Sequence, residues 1–106
     1  MNEFEVINTV TSVVNTVNNV VGDYKCNRVV RKERYLAVTD AIRKYRIIQF
    51  ANNQDDIFNN NIDILERSHN RLMQIPQDTI LFKNAMEHYE LLNRKLKSLL
   101  ESYKML

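Results

Sequence analysis

The first part of the chain carries apolar side chains at helical spacing. No charged residue occurs between positions 6 and 22, and apolar residues there recur at alternating steps of three and four. The stripe that they form consists of Ile7, Val10, Val14, Val17 and Val21. Such steps place side chains on one face of an α-helix. We predict a Val-rich helix over residues 3–22. Because Val, Thr and Asn are mediocre helix formers, this helix needs a surface that covers its stripe.

The middle of the chain, residues 24–74, repeats these steps in two parts. Gly22 and Asp23 predict a stop and a restart before it, since Gly suits the position after a helix and Asp suits an N-cap. The two series are Tyr35, Val38, Ile42, Tyr45 and then Ile48, Ala51, Asp55, Phe58, Ile62, Leu65, His69, Leu72. They do not join in phase, which indicates either a stutter in one helix or a break around residues 51–54. We favour a single long helix, with or without a bend, over two helices.

Asp55 and His69 stand at otherwise apolar positions of the second series. A polar residue at such a position can fix the register of helices that pack together. The alternative is that both residues lie at the edge of the contact between helices, and the sequence leaves the two interpretations open.

The last part of the chain has the most regular stripe. Pro76 ends the preceding helix, and Asp78 is a suitable N-cap for a final helix over residues 78–105. Its apolar positions are Phe82, Ala85, Tyr89, Leu92, Leu96, Leu99, Tyr103 and Leu106. A short turn makes consecutive helices antiparallel neighbours, so these two form a coiled-coil-like hairpin. The sequence therefore predicts an all-α fold: a helical bundle that joins the Val-rich helix to this hairpin in a single domain over residues 1–106.

Composition removes several classes of fold and of chemistry. With 1 Gly, 1 Pro and 1 Cys among 106 residues, the chain has neither the turns of an all-β fold nor an internal disulfide. One Gly cannot build a phosphate-binding loop, and 1 Cys with 2 His cannot build a structural zinc site. The nearest acid–base set is Glu87, His88 and Glu90, for which a solvated helix face is the better interpretation. We expect no enzymatic activity, no cofactor, no metal and no small-molecule substrate.

Positive charge is concentrated in the middle of the chain, although the net charge is only +2. The basic residues of this segment are Lys25, Arg28, Arg31, Lys32, Arg34, Arg43, Lys44 and Arg46. Together with Tyr24, Tyr35 and Tyr45, they have the chemistry to contact phosphates and to stack on bases. They suit an acidic protein or an anionic lipid surface equally well. The simplest interpretation is a solvated helix face that meets acids of a neighbouring helix.

These patterns favour a non-enzymatic module that binds proteins by helix packing, as an adaptor, an inhibitor or a structural component. The partner is another protein or a second copy of the chain. A homo-oligomer is therefore expected, with the Val-rich stripe as its association surface. The alternative is a small nucleic-acid-binding regulator that uses residues 25–46, and a peripheral membrane protein comes third. Without a basic signal-peptide start or about 20 continuous apolar residues, we expect a cytoplasmic protein.

Overall fold

The computed structural model describes residues 3–52 and 56–104. These residues form the helices α1 (Glu3–Lys25), α2 (Lys32–Asn52), α3 (Asp56–Gln74) and α4 (Ile80–Lys104), with no strand in the described ranges. Helix α1 packs against α2 and α4, while α3 packs against α4 and, less extensively, against α2. The described part of the chain measures 42 × 24 × 19 Å. The prediction of an all-α helical bundle is confirmed.

The apolar stripe of α1 is buried within the chain. Val10, Val14, Val17 and Val21 belong to the core, and Ile7 is half-buried against it. Helices α2 and α4 supply the covering surface, so no second chain is needed to bury these side chains. Association with a second chain through this stripe stays a prediction, but within one chain the stripe is already covered. The physical reason is that the middle of the chain provides two helices, α2 and α3, where the sequence analysis favoured one.

The predicted end of the first helix at Gly22 and the start of a new helix at Asp23 are wrong, because α1 continues through both residues to Lys25. Gly22 is exposed, and a helix tolerates Gly at a cost of about 1 kcal/mol relative to Ala. Asp23 does not cap a new helix; its carboxylate pairs with Arg34 of α2 at 3.0 Å. Helix α2 begins only at Lys32.

Asn27 provides the real end of α1. Its φ angle is 58°, in the left-handed region that Asn adopts more readily than most residues. The N–H groups of Asn27 and Arg28 donate to the carbonyls of Tyr24 (3.1 Å) and Asp23 (2.9 Å), respectively. These two bonds form a Schellman motif, in which Asn occupies the position that Gly takes more often.

The predicted long helix over residues 24–74 is in fact two antiparallel helices. Tyr45, late in α2, bonds to Asn59, early in α3. Thr39, earlier in α2, contacts His69, late in α3. The two apolar series are out of phase because each belongs to a helix with its own orientation toward the core. Asp55 lies outside the described residues, whereas His69 is buried.

Helices α3 and α4 form the predicted antiparallel hairpin. Thr79, and not Asp78, caps α4: its Oγ1 accepts from the Phe82 N–H at 3.2 Å and donates to the Pro76 carbonyl at 2.7 Å. The buried residues of α4 are Phe82, Met86, Tyr89, Asn93, Leu96 and Leu100. The predicted positions that are only half-buried are Ala85, Leu92, Leu99 and Tyr103. The buried face is rotated because α4 packs against α1 as well as α3.

Candidate functional site

A buried histidine connects three helices near the centre of the bundle. The Nε2 atom of His69 lies 3.1 Å from the backbone oxygen of Tyr35 and 3.2 Å from Thr39 Oγ1. Its Nδ1 atom lies 3.1 Å from the hydroxyl of Tyr89. Since a carbonyl oxygen only accepts, Nε2 carries the proton and Nδ1 accepts from Tyr89. Both ring nitrogens of a neutral imidazole are thereby engaged.

Burial determines the ionisation of this cluster. It lowers the pKa of His69, and the bond to the Tyr35 carbonyl and the charge of Glu66 offset only part of that effect. Burial also raises the pKa of the Tyr35 and Tyr89 hydroxyls, so both stay protonated near neutral pH. The cluster is therefore neutral, and it is suited to hold α2, α3 and α4 together rather than to exchange protons with a substrate.

Two further buried polar contacts each join a pair of helices. The Tyr45 hydroxyl donates to Asn59 Oδ1 at 2.5 Å between α2 and α3. Asn93 Nδ2 of α4 donates to the Val14 carbonyl at 3.2 Å and to Asn18 Oδ1 at 2.7 Å, both in α1. The sequence analysis missed Asn59 and Asn93, because an Asn beside apolar positions looks like a surface residue in a chain rich in Asn.

Side chains with the chemistry for catalysis do not come together. Cys26 is exposed in the turn after α1. Glu87 and His88 are exposed on α4, and Glu90 forms an ion pair with Lys25. Within residues 3–52 and 56–104, no group of His, Cys, Asp and Glu is arranged to hold a metal ion. Nor does any helix of the described ranges contain a stretch long and apolar enough to cross a membrane.

The basic residues predicted as one surface are divided between ion pairs and open positions. The pairs are Lys25–Glu90, Arg34–Asp23, Arg43–Asp40, Arg46–Glu66 and Arg46–Asp63. Arg28, Arg31, Lys32 and Lys44 form no ion pair with a residue that the structure describes. Part of the segment thus meets acids of the chain itself. Arg28, Arg31 and Lys32 remain as an unpaired cluster before and at the start of α2.

The tyrosines interleaved with these cations are packed into the bundle. Tyr45 is fully buried. Tyr24 packs edge-on against Phe82, with ring centroids 5.5 Å apart, and Tyr35 packs against His69 at 5.8 Å. The base-stacking platform that the sequence suggested is therefore not formed, and the cations alone remain for contact with phosphate.

A groove of about 610 Å³ lies between α3 and α4 and is open to solvent. Ile64 and Leu81 line it from the two helices and expose 37% and 62% of their surface. Arg67, Arg71 and His88 line it as well, and none of the described residues in its lining is acidic. The sequence contained one signal for this groove: Leu81 flanks the apolar stripe of α4 without belonging to it.

Comparison with protein-family models, with curated proteins and with solved structures found no match for this chain. The groove between α3 and α4, the unpaired cations beside α2 and the buried polar contacts are the features from which a function can be inferred.

Proposed function

We propose that this chain is a non-enzymatic protein-interaction module that binds an acidic amphipathic helix of another protein in the α3–α4 groove. The observation that carries the proposal is the composition of the groove, whose described lining combines exposed Leu81 and Ile64 with cationic side chains and contains no acidic residue. An amphipathic helix binds in such a groove by placing its apolar face against exposed aliphatic side chains. Its polar face then meets the charged edge of the groove.

The aliphatic side chains supply most of the expected affinity. Leu81 exposes 62% of its surface, while its chain neighbour Phe82 is fully buried. A single exposed Leu on a protein surface needs no explanation. Here, however, Leu81 and Ile64 line the same groove from two facing helices. Complete burial of either side chain under a partner would contribute about 1.5–3 kcal/mol.

The charges of the groove determine which partner fits. Arg67 and Arg71 are exposed one helical turn apart on α3, and neither forms an ion pair with a described residue. Acidic side chains on the polar face of a partner helix would complement them and increase the rate of association. A second copy that docked by the same groove would bring like charges together, which disfavours a homodimer through this surface. The partner is therefore a different, acidic protein.

The placement of the reactive side chains supports a function without catalysis. Both ring nitrogens of His69 are engaged in contacts inside the core. Among the described residues, Cys26 has no hydrogen bond or ion pair that would activate its thiol. Among the described residues that line the groove, Ser68 and His88 are the ones with a hydroxyl and an imidazole, and no carboxylate accompanies them.

A pair of synthetic helices tests the proposal by fluorescence anisotropy. Both peptides carry leucines at helical spacing, one with glutamates and the other with lysines on the polar face. We expect the acidic peptide to bind and the lysine peptide not to bind. Leu81→Ser should weaken binding about ten-fold or more, because the largest exposed aliphatic contact is lost. The double variant Arg67→Gln, Arg71→Gln should weaken binding and make it less sensitive to salt.

Two matched controls lie outside the groove. Leu91, on α4, exposes 58% of its surface but does not line the groove, so Leu91→Ser should leave the affinity unchanged. Lys44→Gln is the control for removal of an exposed cation. Equal binding of the two peptides, or an equal loss in Leu81→Ser and Leu91→Ser, would refute the groove as the site. Absence of binding by the parent chain would refute the acidic-helix partner.

A further inference from the structure

The turn between α1 and α2 and the turn between α3 and α4 lie at the same end of the bundle. Helices α1 and α3 end there, and α2 and α4 begin there. A cleft of about 330 Å³ joins the two turns, with Tyr24, Arg28 and Val29 on one side and Gln77 and Asp78 on the other. The two turns thus form one continuous surface, which we call the turn end.

Two aliphatic side chains are strongly exposed at the turn end. Val29 exposes 76% and Ile80 78% of its surface, more than any other large hydrophobic residue whose exposure the structure describes. Both lie at turns that are closed by hydrogen bonds. The neighbour of Val29, Val30, is buried in the core, and the turn is closed by the Schellman motif at Asn27. Ile80 follows Thr79, whose hydroxyl caps α4. The local structure therefore holds these side chains in water.

Cations accompany the exposed aliphatic side chains. Arg28, Arg31 and Lys32 are exposed and form no ion pair with a described residue. Arg28 and Arg31 also line a second cleft, of about 540 Å³, beside the same turn.

Three acids lie at or beside the turn end, and they leave positive charge in excess. Asp23 is neutralised by Arg34 at 3.0 Å. Glu33 and Asp78 are exposed and form no ion pair within the described ranges. These two acids oppose the attraction of an anionic ligand, so removal of either charge should strengthen the binding of such a ligand.

We propose that the turn end docks the bundle on an anionic lipid surface, with Val29 and Ile80 in the interface and Arg28, Arg31 and Lys32 against the head groups. Aliphatic side chains flanked by cations match a membrane interface, where hydrocarbon lies beside anionic phosphates. A nucleic acid offers phosphates to the cations but little that covers Val29 and Ile80. Docking at the turn end uses different residues from partner binding in the α3–α4 groove, and it does not depend on that proposal.

Sedimentation with vesicles measures the docking directly. We expect binding to vesicles of phosphatidylcholine mixed with phosphatidylserine and much weaker binding to phosphatidylcholine alone. Each cation removed should weaken binding about five-fold, so the triple variant Arg28→Gln, Arg31→Gln, Lys32→Gln should bind roughly 100-fold more weakly. Val29→Ser with Ile80→Ser should weaken binding about ten-fold or more. Glu33→Gln should strengthen it, because a repulsive charge is removed.

Exposed residues of α2 away from the turn end provide matched controls. Ile47 exposes 61% of its surface, and Lys44 is an exposed cation without an ion pair among the described residues. Ile47→Ser and Lys44→Gln should therefore leave vesicle binding unchanged. Circular dichroism should show the same helical content in every variant, since all of these substitutions are at exposed positions.

The single cysteine gives a second, independent measurement. Cys26 is exposed beside the turn end, so a polarity-sensitive fluorophore on its thiol should shift to the blue when vesicles are added. In the control, Cys26→Ser with Glu101→Cys carries the fluorophore in the last turn of α4, at the opposite end of the bundle. There we expect vesicle binding without a spectral shift.

Three results would overturn the proposal. The first is absence of binding to the anionic vesicles. The second is unchanged vesicle binding by the Val29→Ser, Ile80→Ser variant, which would show that neither side chain enters the membrane interface. The third is a blue shift from the fluorophore at position 101, which would place the opposite end at the membrane. If the parent chain binds a labelled DNA duplex but no vesicles, and the triple variant loses that binding, the cations serve a nucleic acid instead.

Discussion

Acid should destabilise this bundle through His69. The imidazole is 1% exposed, and its burial lowers its pKa below the usual value of about 6.5. An unfolded chain therefore takes up a proton at His69 at a pH where the folded chain does not. As the pH falls from about 6.5 toward the folded pKa, the free energy of unfolding decreases, by at most about 1.4 kcal/mol per pH unit. Above the pKa that His69 has in the unfolded chain, both states hold the neutral imidazole, so this loss of stability is absent.

Urea denaturation followed by circular dichroism measures this dependence between about pH 7.5 and pH 5. In His69→Gln the position does not titrate, so the free energy of unfolding should depend less on pH than in the parent chain. The chain has 2 His, and the other one is the natural control. His88 is exposed on α4, so His88→Gln should retain the pH dependence of the parent. Because Glu66 and other carboxylates are present in all three proteins, the difference between them isolates His69.

A milder variant covers the case in which His69→Gln fails to fold. Tyr89→Phe keeps the imidazole but removes the hydroxyl that donates to Nδ1 at 3.1 Å. The neutral ring loses a partner, so the pKa of His69 should rise and the pH dependence should shrink. The variant should cost about 1 kcal/mol of stability at neutral pH. If the unfolding free energy of the parent did not change with pH in this range, or changed equally in His69→Gln, the assignment of a neutral, buried His69 would be refuted.

Three further predictions concern the fold and use the same urea denaturation. Leu96→Ala removes a fully buried side chain and should cost about 2–5 kcal/mol, whereas Leu99→Ala, at a half-buried position, should cost clearly less. Equal costs would contradict the rotated face of α4. Asn27→Ala should cost about 1–2 kcal/mol because Ala disfavours the left-handed region, and Asn27→Gly should cost nothing; a loss in both would contradict the Schellman motif. Val17→Asp should unfold the bundle, because it buries an unpaired charge. If sedimentation showed a folded Val17→Asp chain of smaller mass than the parent, α1 would be an association helix after all.

The helices themselves could be predicted well where their apolar stripe is regular. The spacing from Val10 to Val21 identified α1, and the spacing from Phe82 to Leu99 identified α4. The sequence could not decide between one helix and two over residues 24–74, because periodicity reports which side of a helix is apolar and not whether the chain reverses its direction. The predicted position of the end of α1 was wrong for a different reason. Gly22 and Asn27 both suit the end of a helix, and only the packing of the helices chooses between them.

The candidate sites were harder to predict from the sequence than the helices, because they depend on tertiary structure. Arg28 and Arg46 look equivalent in the sequence, yet Arg46 meets Glu66 of α3 while Arg28 has no ion pair with a described residue. Which acid approaches a basic side chain is decided by helices far apart in sequence. For His69, the sequence left a register-fixing position and an edge position open. The structure buries the side chain, and its contacts with Tyr35 and Tyr89 come from helices that the sequence could not bring together.

The buried Asn93 has a consequence for how the chain reaches its folded state. The core side of α1 is almost entirely valine, so an α1 displaced along the bundle by one helical turn, about 5.4 Å, would still bury valines. Apolar contact alone separates the native structure from such a misplaced one only weakly. Asn93 favours the native position strongly, because its amide donates to the side chain of Asn18. The positions four residues before and after Asn18 are Val14 and Gly22, which offer no side-chain acceptor. A misplaced α1 leaves this buried amide without its side-chain partner, at a cost of about 1–3 kcal/mol. The asparagine thus shortens the lifetime of misfolded states during folding, which uniform valine contacts cannot do.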